Sequence, residues 1–361
     1  MASLNREELL QRIDRVIDKM KNLSPEEIVE TCPIGIISMD NWEWPQGVGL
    51  FSLFLYYRET GEEAVLAYLE DWFDRRLQEG VPPLNVNTIC PLLTLTYLNE
   101  LRPKESYRGL LERGAAFVMK EMPRTEEGGL QHIVSGGLNE GQLWDDTLYM
   151  TVLFLTRYGV LTNDPACVDE SVRQFLVHLK YLTDPATGLF FHGWTFQEGH
   201  HFAKALWGRG NAWYTAGLVD YLDMIEPPPG VSLFLCGSLE RQAKALRPLQ
   251  APSGRWHTLL DDPSSYEETS ATAAFAYGLL KAIRCGYLSR DFEPMAWRAF
   301  HGVLDQIDPD GTVRGVSYGT GMGRTLQAYK DIPLCPMPYG QSMALLMLVE
   351  GLKHDLAEVR L

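Results

Sequence analysis

The chain has 361 residues, 45% hydrophobic and 22% charged, with a formal net charge of -15. That is ordinary globular composition, enough for one large domain or two smaller ones. So acidic a chain is not built around nucleic acid, although a pocket on it can still be locally positive. No stretch is apolar enough to cross a membrane. The six cysteines (Cys32, Cys90, Cys167, Cys236, Cys285 and Cys335) are scattered singly with no C-x-x-C pair, which leaves zinc and redox motifs without support.

The first predicted element, about Asn5–Leu23, is charged and amphipathic and lacks the uncharged apolar centre of a signal peptide, so a cytoplasmic protein is expected. From Trp44 the run WPQGVGLFSLFLYYRETG is apolar on most faces, as a buried helix requires. The following segment, Glu62–Gln78, instead sets Val65, Tyr68, Leu69, Trp72 and Phe73 on one side and charges on the other, which predicts a surface helix with one buried stripe. The same alternation continues along the chain. Buried-type runs start at Asn87 (NTICPLLTLTYLNEL), Trp144 (WDDTLYMTVLFLTRYG), Trp207 (WGRGNAWYTAGLVDYL), Tyr266 (YEETSATAAFAYGLLKAI) and Tyr339 (YGQSMALLMLVEGLKH). Surface-type segments lie near Glu105–Glu121, Val168–Leu182, Ser238–Leu249 and Asp291–Gln306. Several buried runs end near glycine (Gly61, Gly159, Gly286), a common helix stop.

Six outer–inner pairs predict an all-α (α/α)6 toroid forming one domain over residues 1–361, with six buried helices ringed by six outer ones; an open helical solenoid is the alternative. Gly turns followed by alternating aromatic and polar residues (EGGLQHI, TGLFFHGW, SGRWHTLL, DGTVRGVSYG) predict short β-hairpins at one mouth of the ring. If the inner helices run the same way, their N-termini converge there and favour an anion. Trp42, Trp44, Trp144, Trp194, Trp207 and Trp256 fall at these starts or in these loops, with Trp213 a little further in. Flat aromatic faces at a mouth suit sugar rings.

Asp145 and Asp146 stand beside Trp144 at such a start. One can serve as a helix cap. The other, in apolar surroundings that raise its pKa, can serve as a general acid. A glycosidase of the ordinary kind uses two opposed carboxylates; Asp40, Glu43, Glu267 and Glu268 are open as partners.

LWDDTLYM, GLFFHGW and WGRGNAW, in this order and spacing, resemble the unsaturated rhamnogalacturonyl hydrolases of glycoside hydrolase family 105, with WPQGV and YEETSATA extending the resemblance over nearly the whole chain. The unsaturated glucuronyl hydrolases are the neighbouring family. The resemblance implies a toroid that needs no metal or cofactor. Its substrate is a lyase-generated oligosaccharide ending in a uronic acid with a C4=C5 double bond. The reaction it implies is hydration of that bond instead of displacement at the anomeric carbon.

The third position of W-x-D-T, here Asp146, is then the acid/base. His192, Trp207, Arg209 and Trp213 match residues lining the sugar site, with Arg209 the partner of the uronate carboxylate; Trp42, Asn87, His132 and Trp144 complete the expected binding residues. Two positions depart from the pattern: Ile133 follows His132 where relatives often carry a basic residue, and Asn87 or Thr88 stands where relatives carry an acid. A sugar epimerase or isomerase on the same toroid, using His132, His192 or His257, is a second reading, and a non-catalytic binding toroid a third. The adjacent histidines of GHH (Gly199–His201) lack a third ligand and point weakly to metal.

Overall fold

The computed structural model describes residues 5–24 and 37–355; Cys32 lies outside them. Among the described residues, twelve main helices alternate between two layers. The inner ones are α2 (Trp44–Thr60), α4 (Leu92–Leu101), α6 (Leu153–Thr162), α8 (Gly208–Met224), α10 (Thr269–Arg284) and α12 (Pro338–Gly351). The outer ones are α1 (Arg6–Lys21), α3 (Glu63–Glu79), α5 (Glu105–Ala116), α7 (Pro165–Leu182), α9 (Pro229–Leu246) and α11 (Glu293–Leu304). Each inner helix packs on the next, and α12 returns to α2, so the ring closes. α1 packs on α12, while the other outer helices lie against the inner helix before them in the chain. The fold is the expected α/α toroid, not the open solenoid.

Local chemistry accounts for the layers. Every residue of α12 is buried, whereas α1 buries only Leu9, Ile13, Val16, Ile17 and Met20, one face of a helix opened by an Asn5–Glu8 capping box. Two inner helices begin differently from the expectation. Pro91 has no N–H to give and splits the second, leaving a one-turn helix at Val86–Ile89 before α4. The third opens with a π-helical turn, Leu148–Val152. Gly61 ends α2 in the left-handed region, as expected, but α6 runs past Gly159 to Thr162 and is closed by Asn163 at φ 54°.

The glycine turns also recur. Gly128, Gly188, Gly254 and Gly311, all at positive φ, close hydrogen-bonded turns on Thr125, Asp184, Ala251 and Asp308. The extended residues beyond them pair within a loop, as Trp256–His257 does with Glu267–Glu268, or between loops, as Gln142–Trp144 does antiparallel to Gly193–Thr195. Antiparallel bridges also close the turns within their own loops, Arg124 to Leu130, Thr183 to Phe190 and Ile307 to Val313, as the hairpin expectation has it, and the second kind of pairing is an addition to it. This second kind ties neighbouring repeats together at the mouth.

The opposite end of the ring carries charge. There Arg157 of α6 pairs with Glu100 of α4, Arg284 of α10 with Glu350 of α12, and Lys281 of α10 with Asp220 and Asp223 of α8. Lys281 and Arg284 sit in the last turn of α10, where the helix dipole favours them.

Candidate active site

A cavity of about 270 Å³ opens at the mouth where the inner helices begin. Trp44 and Pro45 line it from α2, Asn87 from the one-turn helix before α4, Asp146 and Met150 from the entry to α6, Arg209 and Trp213 from α8, and Tyr339 from α12. The loops add His132, Val134, Trp144, Trp207, Met337 and the stretch Tyr318–Gly321. The starts of α2, α8 and α12 point into this mouth without a side-chain cap, although Pro45 and Pro338 carry no N–H and the Gly208 N–H donates to the Thr258 carbonyl at 2.8 Å.

The aromatic rings form two walls. The His132 ring lies flat on Trp144, with centroids 4.1 Å apart and planes 8° apart. Opposite, Trp44 stacks on Tyr339 at 4.6 Å and meets Trp213 edge-on at 5.9 Å.

Between the walls is Asp146. Its side chain keeps 16% of its surface open, whereas Asp145 is wholly buried and does not line the cavity. Both acids lie in the turn between strand and helix, not on the helix itself as the sequence pattern implied. The strand pairing fixes the turn: the Asp145 N–H donates to the His192 carbonyl at 3.0 Å, and the Asp146 carbonyl accepts from Met150 N–H at 3.0 Å. Burial pushes the Asp146 carboxyl up to about 7, although backbone N–H groups and the charge of Arg209 pull it down. Asp146 Oδ1 is 3.4 Å from His132 Nδ1, which also lies 2.8 Å from Thr147 Oγ1. Burial drives the His132 pKa down to about 3, so this ring is a neutral wall at working pH.

Asp145 is held well above the ordinary carboxylate range, first by burial and then by the charge of Asp146. Its carboxyl packs against the first turn of α8, where a Cβ on Gly210 would come within 2.0 Å of Oδ2. The second glycine of WGRGNAW is therefore the space that Asp145 fills. Neither Asp145 oxygen has a hydrogen-bond partner. Its folded pKa lies above its unfolded value, so the folded state keeps a proton that the unfolded state releases. Stability from this group is complete below the ordinary carboxylate range and declines as pH rises toward the folded value. Asp145→Asn removes that penalty. Its melting temperature should exceed the wild type's at pH 7 and converge on it at acid pH; equal melting curves across the range would show that Asp145 carries no such burden.

Arg209 does not stand as expected. All four of its terminal N–H groups are committed to one loop. Nη1 donates to the Ser317 carbonyl at 3.1 Å and to Ser317 Oγ at 2.5 Å, and Nη2 to the Tyr318 carbonyl at 3.1 Å and Thr320 Oγ1 at 2.8 Å. Buried Glu268 lies 3.6 Å away. It also accepts from Ser317 N–H at 2.8 Å and caps α10. The fork is thus a clamp on the Tyr318–Gly321 wall, with no pair of donors free to grip a carboxylate. Arg209→Lys keeps the charge but loses the clamp. It should lower the melting temperature as well as raise KM; a raised KM at unchanged stability would instead restore the fork to the substrate.

Two other expected residues fall outside the cavity. Trp42 stacks on Trp72 at 5.3 Å and donates to the Thr88 carbonyl at 2.8 Å, because the chain entering α2 turns it toward α3. His192 lies behind the wall between Trp144 and Trp207, with Nδ1 2.6 Å from Tyr329 Oη. Burial holds it neutral. His257 contacts the Ser265 carbonyl at 2.6 Å and does not line the cavity either, so of the three epimerase histidines only His132 does. Trp256 is buried in the core.

The open carboxylates also separate. Glu267 pairs with Arg255, Glu268 faces Arg209, Asp40 is exposed beside Arg75 and Arg76, and Glu43 accepts from Ser135 Oγ at 2.8 Å without lining the cavity. His200 and His201 diverge, to Glu198 at 2.8 Å and the Tyr181 carbonyl at 2.7 Å. No group of three or more His, Cys, Asp or Glu among the described residues is placed to hold a metal ion. Nor is any described helix long and apolar enough to cross a membrane. The sequence reading did not single out the Tyr318–Gly321 wall as binding; its one trace was the glycine-rich run SYGTGMG.

A toroid whose inner helix starts surround an aromatic-walled, acid-bearing cavity is a design of glycoside hydrolases, and the comparisons agree. Residues 13–354 match the family model described as Glycosyl Hydrolase Family 88. The chain belongs to this family and is a glycosidase. It is 33% identical over 315 residues to the unsaturated rhamnogalacturonyl hydrolase YesR of Bacillus subtilis, covering 86% of this chain and 90% of that one. A solved structure from Salmonella enterica serovar Paratyphi A, described as a possible member of glycoside hydrolase family 105, shares 44% identity with a TM-score of 0.94, over 97% of this chain and 95% of its own. The unsaturated glucuronyl hydrolase of Bacillus sp. GL1 shares the fold at 20% identity, with a TM-score of 0.69 and 94% of each chain covered.

Proposed function

We propose that this glycosidase releases a terminal 4,5-unsaturated uronic acid from lyase-generated oligosaccharides, with unsaturated galacturonyl-rhamnose the first choice of substrate, by hydrating the C4=C5 bond. The observation that carries the reading is the count of acids: among the described residues, Asp146 is the one carboxyl that lines the cavity. Displacement at the anomeric carbon wants two opposed carboxyls, whereas hydration can be run by one. In its acid form Asp146 gives its proton to C4. The carboxylate left behind then takes a proton from the water that adds at C5. The resulting hemiketal opens, and the leaving sugar departs from C1 with the uronate released as an open-chain keto product.

The surroundings fit this work. A raised carboxyl pKa keeps part of the population protonated near neutral pH. The paired walls of His132–Trp144 and Trp44–Tyr339 offer flat faces to a planar unsaturated ring. The charge of Arg209 and the uncapped starts of α2, α8 and α12 favour the uronate anion. The cavity volume lies near the lower end of ligand pockets, roughly 300–1,000 Å³, which suits one terminal sugar with the rest of the chain outside. YesR supports rhamnose as the next residue, and the glucuronyl hydrolase fold supports a wider test. The experiment is a panel of unsaturated galacturonyl and glucuronyl disaccharides beside their saturated counterparts, followed by release of the second sugar. Release from the unsaturated members alone is expected; equal release from saturated ones would reject the reading.

A further inference from the structure

A groove of about 560 Å³ runs along the outside of the ring between α7 and α9. Leu176 and Lys180 line it from α7, and Leu233, Phe234, Gly237 and Arg241 from α9. It shares no residue with the active-site cavity. Three large apolar side chains stand open to solvent here: Leu233 is 77% exposed, Phe234 53% and Leu176 36%. α9 already turns Leu235, Leu239, Ala243 and Leu246 into the ring. One such stripe is all that an outer helix needs to cover its neighbours. Leu233 and Phe234 form a second apolar face on the same helix, and an exposed patch of this kind marks an interaction surface.

This outward face has a shape and a polarity. Gly230, Phe234, Gly237, Arg241 and Lys244 recur at helical spacing along α9, and all are exposed. A Cβ on Gly230 or Gly237 would meet nothing within 4 Å, so the Phe234 ridge is flanked by open notches. Charge is sorted along the same line. Arg241 donates to the carbonyl of Pro185, just past the end of α7, so the second halves of the two helices lie together. Those second halves carry the exposed bases Lys180, Arg241 and Lys244. The exposed acids Asp169 and Glu226 stand at the other end, in the first turns of α7 and just before α9. Lys180 and Lys244 also pair with Glu127 and Glu240, at distances of 2.6 Å and 2.7 Å, but exposed pairs of this kind exchange partners at little cost.

We propose that this face is a homodimer interface, in which α9 packs antiparallel on α9 of a second copy about a two-fold axis. A ridge of Leu233 and Phe234 beside the notch at Gly237 is complementary to itself when reversed, so Phe234 of each copy seats at Gly237 of the other. The same reversal lays the basic end of each copy on the acidic end of the other, whereas a parallel pairing would set like charges together. The two-fold axis makes each contact occur twice. The inference is independent of the proposed reaction.

Sedimentation velocity over a dilution series of the full chain tests it. Chains of net charge -15 repel at long range, so the measurement belongs at about 0.15 M salt, where the screening length is about 8 Å. The wild type should sediment as a dimer at about 10 μM. Phe234→Glu should raise the dissociation constant at least about 30-fold, as for loss of a central aromatic anchor, with the circular dichroism of the wild type retained. Glu226→Lys and Lys244→Glu should each weaken the dimer, and the two together should restore it, because each reversed charge then meets its opposite on the second copy. A wild type that stays monomeric up to about 100 μM would give the groove to another occupant and overturn the inference. So would a dimer indifferent to Phe234→Glu, or a charge-swapped double variant as weak as the single ones.

Discussion

Asp146→Asn should fold, bind, and lose at least about a hundredfold in kcat, the lower end of what a positioned acid/base contributes. The substitution keeps the shape and removes the proton that goes to C4. Because Asp146 is the one acid among the described residues of the cavity wall, no described neighbour is placed to take over. Asp145→Asn should keep far more activity, since that carboxyl is turned against Gly210 and away from the cavity. The pH profile should follow the same group. Turnover should fall as the pH rises past about 7 and the acid form is lost, and Asp146→Asn should abolish that limb of the profile. An active Asp146→Asn enzyme would refute the mechanism. An inactive Asp145→Asn enzyme beside it would move the role one residue back.

The second large effect is on stability. Lys281 is 5% exposed, with Nζ 2.8 Å from Asp220 Oδ1 and 3.0 Å from Asp223 Oδ2. Asp220 is buried, accepts from Tyr277 Oη at 2.5 Å as well, and leaves Oδ2 without a partner. Burial outweighs even these contacts and holds the Asp220 carboxyl above its ordinary range. Lys281→Met removes the cation and strands this acid between α8 and α10. Breaking a buried pair from one side costs about 3–5 kcal/mol, so the denaturation midpoint should fall sharply. Adding Asp220→Asn should return much of the loss, because the stranded charge is the larger part of the cost. A Lys281→Met variant as stable as the wild type would mean that the closed end of the ring does not depend on this pair.

The layers were readable because they follow from which faces of a helix are apolar. A run apolar on most faces such as Pro338–Gly351 has nowhere to go but the middle, and a striped one such as Arg6–Lys21 can only cover it. Helix polarity at the mouth followed, and with it the gathering of Asn87, His132, Trp144, Asp146, Trp207, Arg209 and Trp213. What sequence could not carry was the aim of each side chain. Trp42 precedes Trp44 by two residues, yet the turn into α2 sends one against α3 and the other into the cavity. Arg209 is where the motif puts it, but its donors are spent on a loop more than a hundred residues later in the chain. His192 is likewise committed to Tyr329. Long-range partners of this kind leave no spacing to read.

The most direct test of hydration follows the ultraviolet absorbance of the conjugated C4=C5 carboxylate while the second sugar is released. Hydration destroys the double bond in the enzyme-catalysed step, so absorbance should fall in proportion to sugar released, from the first turnover, with wild-type enzyme and unsaturated disaccharide. Sugar released at the full rate while the absorbance stands would mean displacement at the anomeric carbon, and would contradict the single-acid mechanism assigned to Asp146.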